Sequence, residues 1–204
     1  MPFIIQPNAR DRLRAHGVQL PMTLLVIADD DSLLTDLPDA HADVLVSCGD
    51  LFDQAILRAA KRCHCRHILA VKGNHDSSAP FPSPIIELHL AIHTIQGITF
   101  GGFCGAWKYK PRGHHLFEQS EVEQALAGFP RVDIFVSHNS PRIIQDRDDH
   151  VHIGFTAFNS YIARAHPQRL LHGHQHLNTE TVVGATSVIG TYGYRFVVIP
   201  ESAA

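Results

Sequence analysis

Late in the chain stands Gly173-His174-Gln175-His176, and four earlier groups of metal-binding residue types precede it in order. Asp29 and Asp31 end the first apolar run. Asp50 and Asp53 follow in Gly49-Asp50-Leu51-Phe52-Asp53, then come Gly73-Asn74-His75-Asp76 and Ser137-His138-Asn139. Each group lies where a hydrophobic run stops. Carboxylate, amide and imidazole together suit Mn²⁺, Fe or Zn²⁺ better than Ca²⁺, because hard oxygen donors are mixed with nitrogen donors. The candidates exceed what one ion with open positions requires, and Asp50 has two oxygens with which to bridge. Two ions roughly 3.5–4 Å apart can activate a water and stabilise both attacking and leaving oxygens of an in-line displacement. That is the chemistry of phosphate ester hydrolysis.

The elements that must position these groups are legible as runs. Segments 23–28, 44–48, 67–71, 133–136 and 169–172 are short, apolar and rich in branched residues, the pattern of strands buried on both faces. Helices are expected over 54–62, 120–126 and 157–165, the second opening with Ser120 and Glu123 in a capping-box pattern. Segment 92–103 reads as a hairpin turning near Gln96-Gly97, and 181–199 as successive strands punctuated by glycine. The expectation is an α/β fold: two packed mixed β-sheets flanked by helices, a four-layer α/β/β/α sandwich, in a single domain over 1–204. Ligands of largely parallel sheets bind beyond the carboxyl ends of the strands, where all five groups lie. Extended alternation puts Asp29 and Asp31 on one face with Asp30 turned away. It also pairs His174 with His176, isolates Gln175, and places His172 on the His174 face. The Pro- and Ser-rich stretch 77–84 reads as an active-site loop.

Composition narrows the partners. At 204 residues, 45% hydrophobic and 18% charged, the chain can bury a sizeable core and is not of disordered type. A formal net charge of -3 offers nucleic acid no global field, so any attraction for phosphate is local. Segment 1–20 carries Arg10, Asp11, Arg12 and Arg14 and is unlike a secretory signal, and no run is long enough to span a bilayer. Four cysteines at irregular spacing do not make a disulfide framework, so a cytoplasmic location is expected. Cys63-His64-Cys65 invites a zinc reading, but no second ligand pair accompanies it; a helix end running into a strand is the simpler account.

The ordered set D-x-[H/D], G-D-x-x-D, G-N-H-D, a lone histidine after a strand and G-H-x-H resembles that of the calcineurin-like metallophosphoesterases, over nearly the whole chain (23–199). The resemblance implies Asp29, Asp50 and His176 on one metal, with Asp50 bridging to a second held by Asn74, His138 and His174. His75 resembles the histidine that protonates the leaving group, with Asp76 orienting it and Asp53 in support. Asp31 departs from the pattern, since the family most often has histidine there. Aspartate is shorter and adds negative charge, which lowers the Lewis acidity of that ion. The expectation is two divalent ions, Mn²⁺ favoured with Fe or Zn²⁺ as alternatives, and a weaker first site that Asp31 reaches directly or through a water.

Substrate contacts are sought in Lys108, Lys110 and Arg112, which with Trp107, Tyr109, His114 and His115 could receive a phosphate or stack a base. The competing reading is a solvated loop. Residues 141–152 rim the pocket by analogy, making His150 a candidate contact and His152 an alternative. Tyr192, Tyr194 and Arg195 are assigned to core packing. The expected activity is hydrolysis of a small phosphodiester, nucleotides included, by in-line attack of a metal-bridging hydroxide. Alternatives are a phosphomonoesterase or protein phosphatase, or a non-catalytic scaffold on the same fold. A small phosphoester is the expected partner and a membrane is not. Nucleic acid is disfavoured but left open, as is the oligomeric state.

Overall fold

The computed structural model describes residues 21–200. Segment 1–20, read above as unlike a secretory signal, lies outside the described residues. The strands in chain order are β1 (Met22–Ala28), β2 (Val44–Ser47), β3 (His67–Ala70), β4 (Ile85–Glu87), β5 (Ile92–Ile95), β6 (Ile98–Phe103), β7 (Ala106–Trp107), β8 (Leu116–Phe117), β9 (Ile134–Ser137), β10 (Arg169–His172), β11 (Thr179–Val183), β12 (Thr186–Gly190) and β13 (Gly193–Ile199). The helices are α1 (Asp53–Arg62), α2 (Gln119–Ala127) and α3 (Thr156–Ala165), with a single 3-10 turn at Leu33–Thr35.

One sheet runs β13-β1-β2-β3-β4 and the other β11-β12-β10-β9-β6-β5, while β7 and β8 form a small ribbon. Within the first sheet β1 to β4 are mutually parallel and β13 is antiparallel to β1. The second is parallel from β12 through β10 and β9 to β6, with β11 and β5 antiparallel at its edges.

Alternation along the strands explains the layering, because successive side chains leave opposite faces. Leu24, Val26 and Ala28 of β1 join Val44 and Val46 of β2, Ile134 and Val136 of β9 and Leu171 of β10 in one core between the sheets. The intervening Leu25, Ile27 and Leu45 pack instead on Ile56, Ala59 and Ala60 of α1. On the far side Phe135, Leu170 and Val188 meet Val122 and Leu126 of α2 and Phe158, Tyr161 and Ile162 of α3. Three cores between four layers realise the expected sandwich.

One local expectation is corrected. Ser120 does not cap α2; Glu118 does, and its backbone N–H donates to the Glu121 carboxylate at 2.7 Å in a reciprocal capping box. The acidic pair has the same spacing as Ser120 and Glu123 but starts the helix earlier. The successive terminal strands form as expected and divide between the two sheets. β11 and β12 close the second sheet, whereas β13 crosses to the first and pairs with β1 from Met22↔Ile199 to Ala28↔Gly193. Gly193, at φ 73, supplies the left-handed turn that redirects the chain.

Phe135 is fully buried and packs edge-on against Phe129 and Phe158 and obliquely on Tyr161. Phe135→Ala is expected to lower unfolding stability by about 3–5 kcal/mol, as buried aromatic truncations do. Urea unfolding checks this, and a loss under about 1 kcal/mol would contradict the packing described.

Candidate metal centre

All five groups converge at the carboxyl ends of β1, β2, β3, β9 and β10, but not by the alternation expected of an extended chain. Asp29 (φ 62), Asp50 (φ 55), His174 (φ 62) and His176 (φ 49) each take a left-handed backbone conformation. Aspartate and histidine tolerate this better than most residues, and such strain gathers at functional sites. It swings each side chain out of the strand's two-fold pattern.

Asp31 consequently does not share a face with Asp29. The Asp29 carboxylate is buried, and its Oδ2 accepts the His174 N–H at 2.8 Å. Asp31 is exposed, and its Oδ1 accepts the N–H of Phe52, the N-cap of α1, at 2.9 Å. Gln175 is likewise not isolated. It is buried, and its amide donates to Ser140 Oγ and the His152 carbonyl, locking the 139–152 segment onto the last motif. His174 beside it is buried, while the His176 ring is half exposed and lies against Tyr192.

The loops can meet only because two positions lack side chains. A Cβ on Gly49 would stand 2.5 Å from Gly73 N and 2.9 Å from His138 Nδ1, and one on Gly73 would stand 2.1 Å from Asp50 Oδ1. Asp76 completes this knot: its Oδ2 accepts the N–H groups of Gly73 at 2.7 Å and Asp50 at 3.0 Å. The expected orientation of His75 by Asp76 is therefore corrected. Among the described residues no hydrogen bond joins Asp76 to the His75 ring; Asp76 shapes the turn, while the His75 N–H is tied to Asp50 Oδ1 at 2.7 Å.

His138 is the centre of the cluster. Its fully buried ring places Nδ1 2.8 Å from the Cys48 carbonyl, which fixes that nitrogen as the donor. Nε2 faces Asn74 Oδ1 at 3.0 Å and Asp50 Oδ2 at 3.3 Å. Ligand atoms of Asp50, His138 and His174 lie within 4.8 Å of one another. His174 Nε2 lies 3.3 Å from the Val151 carbonyl, so donation there leaves Nδ1 with its lone pair. Nearby, Asp29 Oδ1 is buried without a hydrogen-bond partner, 3.9 Å from His176 Nε2.

These donors fit a divalent cation. A buried carboxylate oxygen with no partner is costly unless a positive charge meets it. Burial pushes the Asp29 carboxyl up to about 7, and the neighbouring Asp50 adds to the rise. Burial also opposes charge on both members of the Asp50–His138 pair, yet their mutual attraction wins: Asp50 is held below the usual carboxylate range and His138 above the usual imidazole range. Burial, reinforced by the neighbouring His138, pushes His174 down to about 2 and keeps it neutral, as a metal ligand must be, and a bound cation would displace the proton that Asp50 favours on His138. Asp50, Asn74, His138 and His174 could hold one ion, and Asp29 and His176 contribute to a neighbouring position.

A family profile described as the calcineurin-like phosphoesterase superfamily domain matches residues 22–197. The chain belongs to that superfamily. Calcineurin-like phosphoesterases are in general metal-dependent, in accord with the donor cluster. Among solved structures the chain is similar to TT1561 of Thermus thermophilus, at 15% identity and TM-score 0.59 over 85% of this chain and 90% of that one. It is also similar to the phosphopantetheinyl hydrolase PptH of Mycobacterium tuberculosis, at 12% identity and TM-score 0.58 over 88% and 97%. Vps29 of Entamoeba histolytica, complexed with Zn²⁺, matches at 15% identity and TM-score 0.47 over 84% and 74%. The likeness to the first two, at this level of identity, shows the fold alone. No curated protein matches the sequence significantly.

The substrate candidates are dispersed. Lys108 pairs with Glu118 at 3.3 Å, Lys110 lies over the neighbouring Tyr109 ring, and Arg112 and His150 are exposed. From the same segments the fold recruits other residues. The Tyr109 hydroxyl accepts the Asn74 amide at 3.3 Å, and the His152 ring, paired with Asp149, lies 5.1 Å from that of His174. Tyr192 is exposed beside His176, whereas Tyr194 packs on the first sheet's helix side and Arg195 pairs with Glu180. Lys72, buried immediately before Gly73, was also missed, since only its adjacency to the motif marked it. His172 is buried, with Nε2 2.8 Å from Gln145 Oε1, in a packing role.

Tyr109→Phe releases the Asn74 amide and is expected to weaken metal binding about tenfold, the lower end for residues that orient a ligand. Calorimetric titration with Mn²⁺ reads this, and an unchanged affinity would remove Tyr109 from the centre.

Proposed function

We propose that this protein is a dinuclear metal-dependent phosphodiesterase that hydrolyses a small phosphodiester. The observation that carries the reading is the unpartnered, buried Asp29 Oδ1 beside a donor set already gathered around Asp50 and His138. Asp50, Asn74, His138 and His174 would hold one ion; Asp29 and His176, with Asp50, would hold the other, which Asp31 would serve from its exposed position. When bound, the ions supply Lewis acidity to the phosphoryl oxygens and lower the pKa of a water.

The residues of the chain do the rest. Asp76 and the paired glycines hold the Asp50 and Asn74 loops in register. His75 lines a cavity of 330 Å³ together with Asp50, Asp76 and Ser77. From there its ring, in the protonated form, delivers a proton to the departing alkoxide as the oxygen of a water that has lost one proton to solvent joins phosphorus and the ester P–O bond breaks. Asp31, Asp53 and the ammonium of Lys72 line the same cavity. No helix among the described residues is long and apolar enough to cross a membrane. The four cysteines are unpaired, which supports placing the enzyme in the reducing cytosol as one domain.

With Mn²⁺ supplied, the protein is expected to hydrolyse bis-p-nitrophenyl phosphate faster than p-nitrophenyl phosphate. His75→Ala is expected to lower kcat by about 10²–10⁴-fold without loss of metal. A His75→Ala protein matching wild type would remove the assigned acid. A second titration tests Asp31: wild type is expected to show one tight and one weaker ion, and Asp31→His to tighten the weaker one. Two equally tight Zn²⁺ ions in wild type would contradict the assignment.

A further inference from the structure

Lys72 stands apart from every other lysine and arginine among the described residues. It is only 4% exposed, yet among the described residues its ammonium makes no hydrogen bond or ion pair. Its one partner is the Phe81 ring, whose centroid lies 3.7 Å from Nζ. Phe81 belongs to the 77–84 loop, so that loop covers the lysine from one side. A cation–π contact attracts the charge but accepts none of its three N–H donors. The ammonium itself is not sealed in the interior, so its donors open onto solvent.

The open direction is the 330 Å³ cavity that Lys72 lines with His75. Three of the neighbouring carboxylates already hold backbone N–H groups. Asp50 Oδ1 accepts the His75 N–H, Asp76 Oδ2 accepts two backbone N–H groups, and Asp31 Oδ1 accepts the Phe52 N–H. On the rim of the same cavity stands Phe52, 73% exposed. Its backbone is fixed as the N-cap of α1 and through the bond to Asp31, so a rigid position presents an open aromatic face. Scattered exposed hydrophobic residues need no explanation. A fixed ring on the lip of a cavity that also holds a cation with no protein hydrogen-bond acceptor does.

We propose that this cavity is the leaving-group subsite, and that it selects diesters whose leaving alcohol carries a flat ring and a second anionic group. Phe52 stacks on the ring, and the Lys72 ammonium, steadied by Phe81, donates to the anion. His75, on the same wall, is then beside the ester oxygen that departs. The inference rests on the proposed phosphodiesterase reading and names the substrate class of that site. A carboxylate and a phosphate share the chemistry that Lys72 requires.

The test uses the Mn²⁺-loaded full chain and two esters, methyl p-nitrophenyl phosphate and its analogue with a carboxylate ortho to the nitro group. The carboxylated ester is expected to have a KM about tenfold lower, the effect of one charge-assisted hydrogen bond. In Lys72→Met that ratio falls to about one, and Lys72→Arg restores part of it; Phe52→Ala raises KM for both esters several-fold, leaving the ratio. Calorimetry with the released phenol, 5-hydroxy-2-nitrobenzoate, reads the subsite without turnover, and thermal unfolding confirms that each variant is folded. Equal KM values in wild type, a ratio that survives Lys72→Met, or no binding of the phenol would overturn the subsite. Hydrolysis of neither ester despite phenol binding that Lys72→Met weakens would instead sink the phosphodiesterase reading and leave the subsite standing.

Discussion

One buried imidazole ties the protein together. His138 leaves the end of β9 in one sheet and places Nδ1 against the carbonyl of Cys48, just beyond β2 in the other. Its second nitrogen meets Asp50 of that same loop and Asn74 of the loop after β3. A fully buried polar ring is costly unless both nitrogens are satisfied, so three loops from two sheets must arrive together at sub-ångström tolerance. That demand explains the bare backbone at Gly49 and Gly73, where any Cβ would collide, and the use of Asp76 to fasten both loops.

The same demand concentrates cost in a small region. Four of the surrounding residues sit in left-handed backbone conformations, and Asp29 keeps a buried oxygen without a partner. Strain and unsatisfied groups of this kind persist only where the scaffold over-determines them. Here the scaffold is three separate apolar cores, with every residue of β2 and β9 buried. The site trades local stability for a set of electron-pair donors aimed at one volume, and the burial that lifts Asp29 while neutralising His174 prepares that volume for a cation.

The rim is assembled from connections that the sheets leave free. Gln175 clamps residues 139–152 beneath the last motif, which carries His152 to the face of His174. The segment after β7 delivers the Tyr109 hydroxyl to Asn74, while its lysines turn to Glu118 and to Tyr109 itself. Charge near the pocket thus comes from Lys72, beneath the 77–84 loop, and not from the basic stretch that follows the hairpin.

Much of this was legible in the sequence. Continuous apolar runs ending in Asp, Asn or His specify buried parallel strands with polar residues at their carboxyl ends, and the order of those residues specifies the metal-binding vocabulary. Helix α1 and the Gln96-Gly97 turn follow from local patterns of the same kind. What escaped depends on direction and not on residue type. The two-fold rule placed Asp31 beside Asp29, but a left-handed Asp29 sends the next residues to the start of α1. Nothing local distinguishes His150 from His152, or Lys72 from Lys108. Sequence by itself determined which atoms could bind a metal and which strand ends would carry them, because both follow from short-range chemistry and periodicity. Only the tertiary structure decided which of those atoms meet, which cation is buried and which is solvated, because those outcomes depend on loops closing across two sheets around a single buried ring.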